Sequence, residues 1–208
     1  MDLISLAILI LCLAVLLIYL RTKKYDSPAG LIMLFLSLAA ILLKLYFRGN
    51  SPNLFNPSLF LASGLIVMGT TLLFCLILIP LRKNRFRLGY ALTLLPLYIF
   101  FGFLQQLLFQ YLFLESAFSL IGSFWPSLII GALFYLLFHL NLDFDAKFKV
   151  CLFLVDIFWG YCYLTYHNIF WLALSHGIIG AVYYSLIVHQ DAIRHRLSEK
   201  TVRIMPKY

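Results

Sequence analysis

Three glutamines stand in the stretch GFLQQLLFQYLF, residues 102–113, inside a run that is otherwise aromatic and aliphatic. Stripping a carboxamide of water costs free energy unless a hydrogen-bond partner replaces it, so Gln105, Gln106 and Gln110 need an explanation. Few other polar side chains lie at apolar depth: Lys44, His139 in GALFYLLFHLN, Asp156 in FLVDIFWGY and His176 in IFWLALSHGIIGAVYY. Polar groups inside membrane segments point to function more directly than any other feature of such a chain. Two histidines and a glutamine pair on separate helices can converge on one pocket, and Asp156 beside either histidine would form a pair able to activate water. The same residues also serve as interhelical hydrogen-bond glue, which is their commoner use, and a Tyr or Trp partner suffices for Asp156. Lys44 lies close to Arg48 at the end of its segment, which predicts a side chain that snorkels to the interface.

The elements that must position these groups are apolar. The 208 residues are 63% hydrophobic and 12% charged, where a soluble domain carries about 25% charged residues. This predicts an all-α polytopic transmembrane bundle, a single unit over residues 1–188 with a basic cytoplasmic tail over 189–208 that reads as a short surface helix. Apolar segments run over 3–20, 31–47, 59–81, 88–114, 126–140, 150–164 and 169–188. Most reach the ~20 residues that cross ~30 Å of hydrocarbon.

A net charge of +8 would suggest nucleic acid in a soluble protein. Here Lys and Arg flank the apolar segments, where they orient the chain and meet anionic lipid headgroups, so no nucleic-acid partner is expected. Basic connections alternate with connections poor in Lys and Arg. The pattern predicts seven spans with the N-terminus outside and the C-terminus in the cytoplasm. The first apolar run carries its positive charges after it and has no A-x-A site, which predicts a retained span. Cys12, Cys75, Cys151 and Cys162 stand singly with no metal-ligand spacing, so neither disulfide, zinc nor any cofactor is expected.

The order of the polar residues resembles the CPBP family, the CAAX-prenyl endopeptidases and bacteriocin-processing proteins, which are Abi-type intramembrane glutamic endopeptidases. Their pattern is E-E-x-x-x-R, then F-x-x-x-H, then H-x-x-x-N or D. Here QQLLFQ (105–110) stands for the first motif, YLLFH (135–139) for the second and HGIIG (176–180) for the third. The resemblance covers about residues 102–186 and implies a CPBP-like core in a bacterial cytoplasmic membrane. It also implies that Gln105, Gln106, Gln110, His139, His176 and Gly180 occupy the positions of the catalytic groups, four of the six substituted.

In the family the first Glu and the second-motif His activate a water, and the third-motif His and Asn stabilise the oxyanion. An amide cannot accept a proton at neutral pH. Loss of a positioned general base costs about 10²–10⁴-fold, and loss of an oxyanion donor, as Gly180 implies, about 10²–10³-fold more. Gln110 for Arg fits the same change, because an Arg without its carboxylates would be an unpaired intramembrane charge. The resemblance therefore implies a degenerate CPBP-type protein with little or no peptidase activity, acting as a partner subunit, an assembly factor or a binder of a hydrophobic ligand. Its partners would be membrane lipids and another membrane protein or a lipidated peptide. The alternative is an active endopeptidase on prenylated or membrane-bound peptides, with Asp156 as the remaining intramembrane carboxylate. One conflict accompanies the seven-span topology: in straight upright helices Gln105 lies about 25 Å from Leu88 and cannot meet His139. Either Pro96 breaks the fourth segment, or that segment is two elements and the span count is eight.

Overall fold

The computed structural model describes residues 2–22, 27–48, 56–81, 88–140 and 146–188. The basic connection 82–87 and the tail 189–208 lie outside the described residues. Every regular element among the described residues is helical: α1 (Leu3–Arg21), α2 (Pro28–Arg48), α3 (Phe60–Leu78), α4 (Leu88–Gln106), α5 (Glu115–Ile121), α6 (Phe124–His139), α7 (Ala146–Tyr166) and α8 (Ile169–Tyr183). A π-helical segment, Leu107–Leu114, joins α4 to α5, and a second, Tyr184–Val188, extends α8. Six helical runs are long and apolar enough to cross a membrane, and α6 is a shorter apolar helix. The bundle exposes large side chains on these helices, Leu61 and Leu65 of α3 among them, as a lipid-facing surface must.

The conflict over Gln105 and His139 resolves in the fourth run. Leu88–Ile121 is one continuous helical run of 34 residues. At 1.5 Å per residue it is about 50 Å long, against roughly 30 Å of hydrocarbon. Pro96 sits inside α4 without ending it, so the run neither breaks there nor divides into two spans. The glutamines fall near its midpoint. Gly122 then reverses the chain: its φ of 67° is the left-handed conformation that glycine adopts without penalty, and its N–H closes on the Phe118 carbonyl at 2.9 Å. The returning α6 zips against the π segment, with Phe113 stacked on Phe134 at 3.7 Å and Phe109 edge-on to Phe138 at 5.1 Å. This register brings His139 to within about a turn of the depth of Gln105.

Two further pairings complete the scaffold. α4 and α8 form the most extensive helix pair, and glycines permit it. A Cβ on Gly102 would sit 3.0 Å from the Ala173 carbonyl oxygen, and one on Gly177 would sit 2.7 Å from the Ile99 backbone. Small residues at the crossing let the two backbones approach, as in other membrane helix pairs. α7 packs on α6, and the short link at His167 and Asn168 returns the chain into α8, so that Trp159 and His176, each about two turns from the link, face each other.

α2 packs chiefly on α1 and touches the π segment. That touch corrects the expectation for Lys44. The side chain does not snorkel: it is 1% exposed, its Nζ donates to the Tyr111 carbonyl, lies 4.0 Å from the Tyr111 ring centroid, and pairs with Glu115 at 3.4 Å. Glu115 in turn accepts from the Tyr163 hydroxyl of α7. The physical reason is that a carboxylate, a carbonyl and a ring face together replace the hydration that the interface would have supplied.

Candidate functional site

The three glutamines have three different surroundings. Gln106, wholly buried, points its amide nitrogen at His176 Nδ1, 3.2 Å away. An amide N–H donates, so Nδ1 accepts and the ring is neutral with its proton on Nε2. The contact follows from the scaffold: Gly102 lies one turn before Gln106, and Gly177 adjoins His176, so the closest approach of α4 and α8 falls where these side chains meet. Gln110 sits within the π segment, 1% exposed, and donates to Asp156 Oδ1 at 2.8 Å. Isolated π turns inside α-helices occur often at functional sites, because they turn side chains out of α register. Gln105 lies on a cavity wall, and its carboxamide oxygen has no hydrogen-bond partner among the described residues.

Aromatic residues fix the two histidines. His176 stacks on Trp159 at 4.9 Å with an interplanar angle of 17°. Trp159 is held by its own N–H, which donates to Ser175 Oγ at 3.1 Å, and Thr71 Oγ1 of α3 lies 2.6 Å from that same hydroxyl. Neither Trp159, Ser175 nor Thr71 was singled out from the sequence, since each looks like ordinary apolar or small helix packing until α3, α7 and α8 meet. His139 ends α6 with Nδ1 2.8 Å from the Tyr135 carbonyl, one turn back on its own helix. A carbonyl only accepts, so Nδ1 carries the proton in this contact. The Tyr135 ring stands 4.3 Å from the His139 ring and 6.1 Å from that of His176, centroid to centroid, and so contacts both.

Gln105, His139, His176 and Gly180 line one cavity of about 650 Å³, walled chiefly by α2, α4, the π segment, α6, α7 and α8, with contributions from α1 and α3. Its volume is that of a small-molecule site. Gln106 reaches His176 from outside this lining, and Asp156 is not part of it either. Among the described residues the hydrogen-bond partner of Asp156 is Gln110, not a histidine and not the Tyr or Trp weighed from the sequence. Gly180 has its own neighbour: a Cβ there would lie 2.7 Å from the Tyr98 ring, which packs 5.3 Å from that of Tyr184. A larger side chain at position 180 must therefore displace Tyr98. Among the described residues no three His, Cys, Asp or Glu side chains converge as a metal site would require.

Chemically, the arrangement offers hydrogen bonds and aromatic faces. The amides at 105, 106 and 110 can hold, orient and bridge, but they cannot take a proton from water.

Residues 87–182 match the family model described as Rce1-like, type II CAAX prenyl endopeptidase. The match includes all three motif stretches, from QQLLFQ to HGIIG. No curated protein and no solved structure matches the chain. The six long apolar helices and the family match describe an integral membrane protein whose residues 87–182 are CAAX-protease-like.

Proposed function

From an Rce1-like segment over residues 87–182, we propose that this protein keeps the family's intramembrane cavity but not its hydrolysis, and acts by binding. The reading is carried by the hydrogen bond between Gln106 and His176. In it an amide occupies a position where the family resemblance expects a carboxylate, and the basic nitrogen of His176 is taken up by a donor from the protein. Loss of a positioned base alone costs about 10²–10⁴-fold. The Tyr98 ring over Gly180 supports the same reading, because it fills the space that an oxyanion-stabilising Asn would need. The partners proposed are membrane lipids and either another membrane protein or a lipidated peptide.

In this reading the N-terminus is outside and the C-terminus is cytoplasmic, in a bacterial cytoplasmic membrane. Support comes from Arg21 at the end of α1 and from Lys147 and Lys149 at the start of α7, which alternation of the helices assigns to one face. Cysteine labelling from each side, in a background freed of the native cysteines, tests the orientation. Labelling of positions 120 and 190 from the same side would overturn it.

Turnover tests the function. The purified protein in lipid nanodiscs is expected to release no product from a prenylated CAAX-type peptide above the level of its His139→Ala and His176→Ala variants. Cleavage by the unmodified protein that disappears in either variant would reverse the conclusion.

A further inference from the structure

The cavity has chemistry that narrows its occupant. No Lys, Arg, Asp or Glu among the described residues lines it. Lys44 of α2 and Glu115 at the start of α5 neutralise each other, and Asp156 is engaged by Gln110, all three outside the lining. The polar side chains that line it carry no carboxylate or ammonium: an amide, Gln105, two imidazoles, His139 and His176, and the Ser37 hydroxyl, set in walls of Leu, Phe, Tyr and Val. A charged head brought to this depth would meet no counter-charge, and an uncompensated charge in a low-dielectric site is strongly disfavoured.

The shape points the same way. Leu31, Leu34 and Leu38 of α2 line the cavity and are still 59%, 56% and 52% exposed. The cavity therefore opens along α2 at helix depth, where the surroundings are lipid, and an apolar chain can enter sideways. At its polar end, the Gln105 carboxamide oxygen has no hydrogen-bond partner among the described residues. Rotation about the last side-chain torsion, which is broad for an amide, presents that oxygen to the cavity. An O–H or N–H head would supply the missing donor, and a buried acceptor left unpaired is costly.

We propose that the cavity holds an uncharged amphiphile, one long apolar chain ending in a hydrogen-bond-donating hydroxyl or carboxamide, with its head at Gln105, His139 and His176. The inference rests on the cavity being a binding site. It excludes as preferred ligands the same chains ending in a carboxylate or an ammonium.

Photolabelling of the full chain in phosphatidylcholine nanodiscs tests it, using hexadecanol that carries a mid-chain diazirine as the probe. Adducts are expected on α4, α7 and the π segment. Unlabelled hexadecanol should compete at least about tenfold more effectively than hexadecanoic acid or hexadecylamine, a difference of 1.4 kcal/mol. Gln105→Leu should reduce this preference for the alcohol severalfold. Ser37→Trp or Leu104→Trp, each placed on the wall, should remove the adducts by filling the space. Equal or better competition by the acid or the amine overturns the proposal, as does labelling that is absent or that survives both tryptophan variants. Peptide cleavage with the alcohol preference intact would instead remove the non-hydrolytic reading and leave the ligand class standing. An absence of adducts removes the ligand class and leaves the turnover result untouched.

Discussion

Replacing Lys44 with methionine should destabilise the protein through what it leaves behind. Met covers much the same apolar surface as the lysine stem, so packing changes little. Glu115, however, loses the ammonium 3.4 Å from its carboxylate, and the Tyr111 carbonyl and ring lose the cation that they hold. Breaking a buried ion pair from one side costs about 3–5 kcal/mol. Glu115 is 26% exposed and keeps the Tyr163 hydroxyl, so water and that donor relieve part of the loss, and about 2–3 kcal/mol is expected. For a chain of this length that lowers Tm by roughly 5–10 °C. Thermal unfolding in detergent, followed by circular dichroism, measures it. The second variant, Lys44→Met with Glu115→Gln, removes the charge and retains an acceptor for Tyr163, and should recover most of the lost Tm. An unchanged Tm in the single variant would refute the reasoning, since it would mean that Lys44 reaches the interface after all. A double variant no better than the single would place the energy in the Tyr111 contacts and not in the ion pair.

Gly177→Ala should cost about 1–3 kcal/mol or more in the same unfolding assay, because its Cβ would lie 2.7 Å from backbone atoms of Ile99, which cannot rotate away. An unaffected Tm would mean that α4 and α8 do not approach as described. Gln110→Leu leaves the Asp156 carboxyl without its donor and should cost about 1–3 kcal/mol, with Gln110→Asn recovering little because it is one methylene short. Restoring the family motifs with Gln105→Glu, Gln106→Glu, Gln110→Arg and Gly180→Asn should yield no peptidase until Tyr98 is also trimmed to Ala, because the Tyr98 ring occupies the space of any side chain at 180. Activity in the four-fold variant with Tyr98 intact would count against that steric argument.

Apolar runs made the helices legible. Each of the seven segments read from composition coincides with a helical run, and the glutamines and histidines were visible because carboxamides and imidazoles are costly in lipid. The family resemblance, legible in three short motifs, agrees with the match over 87–182. What escaped the sequence depends on partners distant along the chain. Lys44 reads as an interfacial lysine until Tyr111 and Glu115, on another helix, are brought against it. The fourth run continues past residue 114, where the apolar stretch ends, because Tyr163 and Lys44 satisfy Glu115 within the bundle. A π turn has no composition of its own, so the register that gives Gln110 to Asp156 could not be read in advance. Tyr98 over Gly180 was equally hidden, because the absence of a side chain says nothing of what fills the space.

Water activation can be measured without waiting for net cleavage. A base and an oxyanion site able to attack a peptide carbonyl will also exchange oxygen between water and the carboxylate of a bound product peptide. The protein in nanodiscs is incubated with that peptide in ¹⁸O water, and incorporation is followed by mass spectrometry beside empty nanodiscs. The amides at 105 and 106 and the engaged His176 predict incorporation no faster than in empty nanodiscs. Incorporation above that level, abolished by His139→Ala or His176→Ala, would contradict the account.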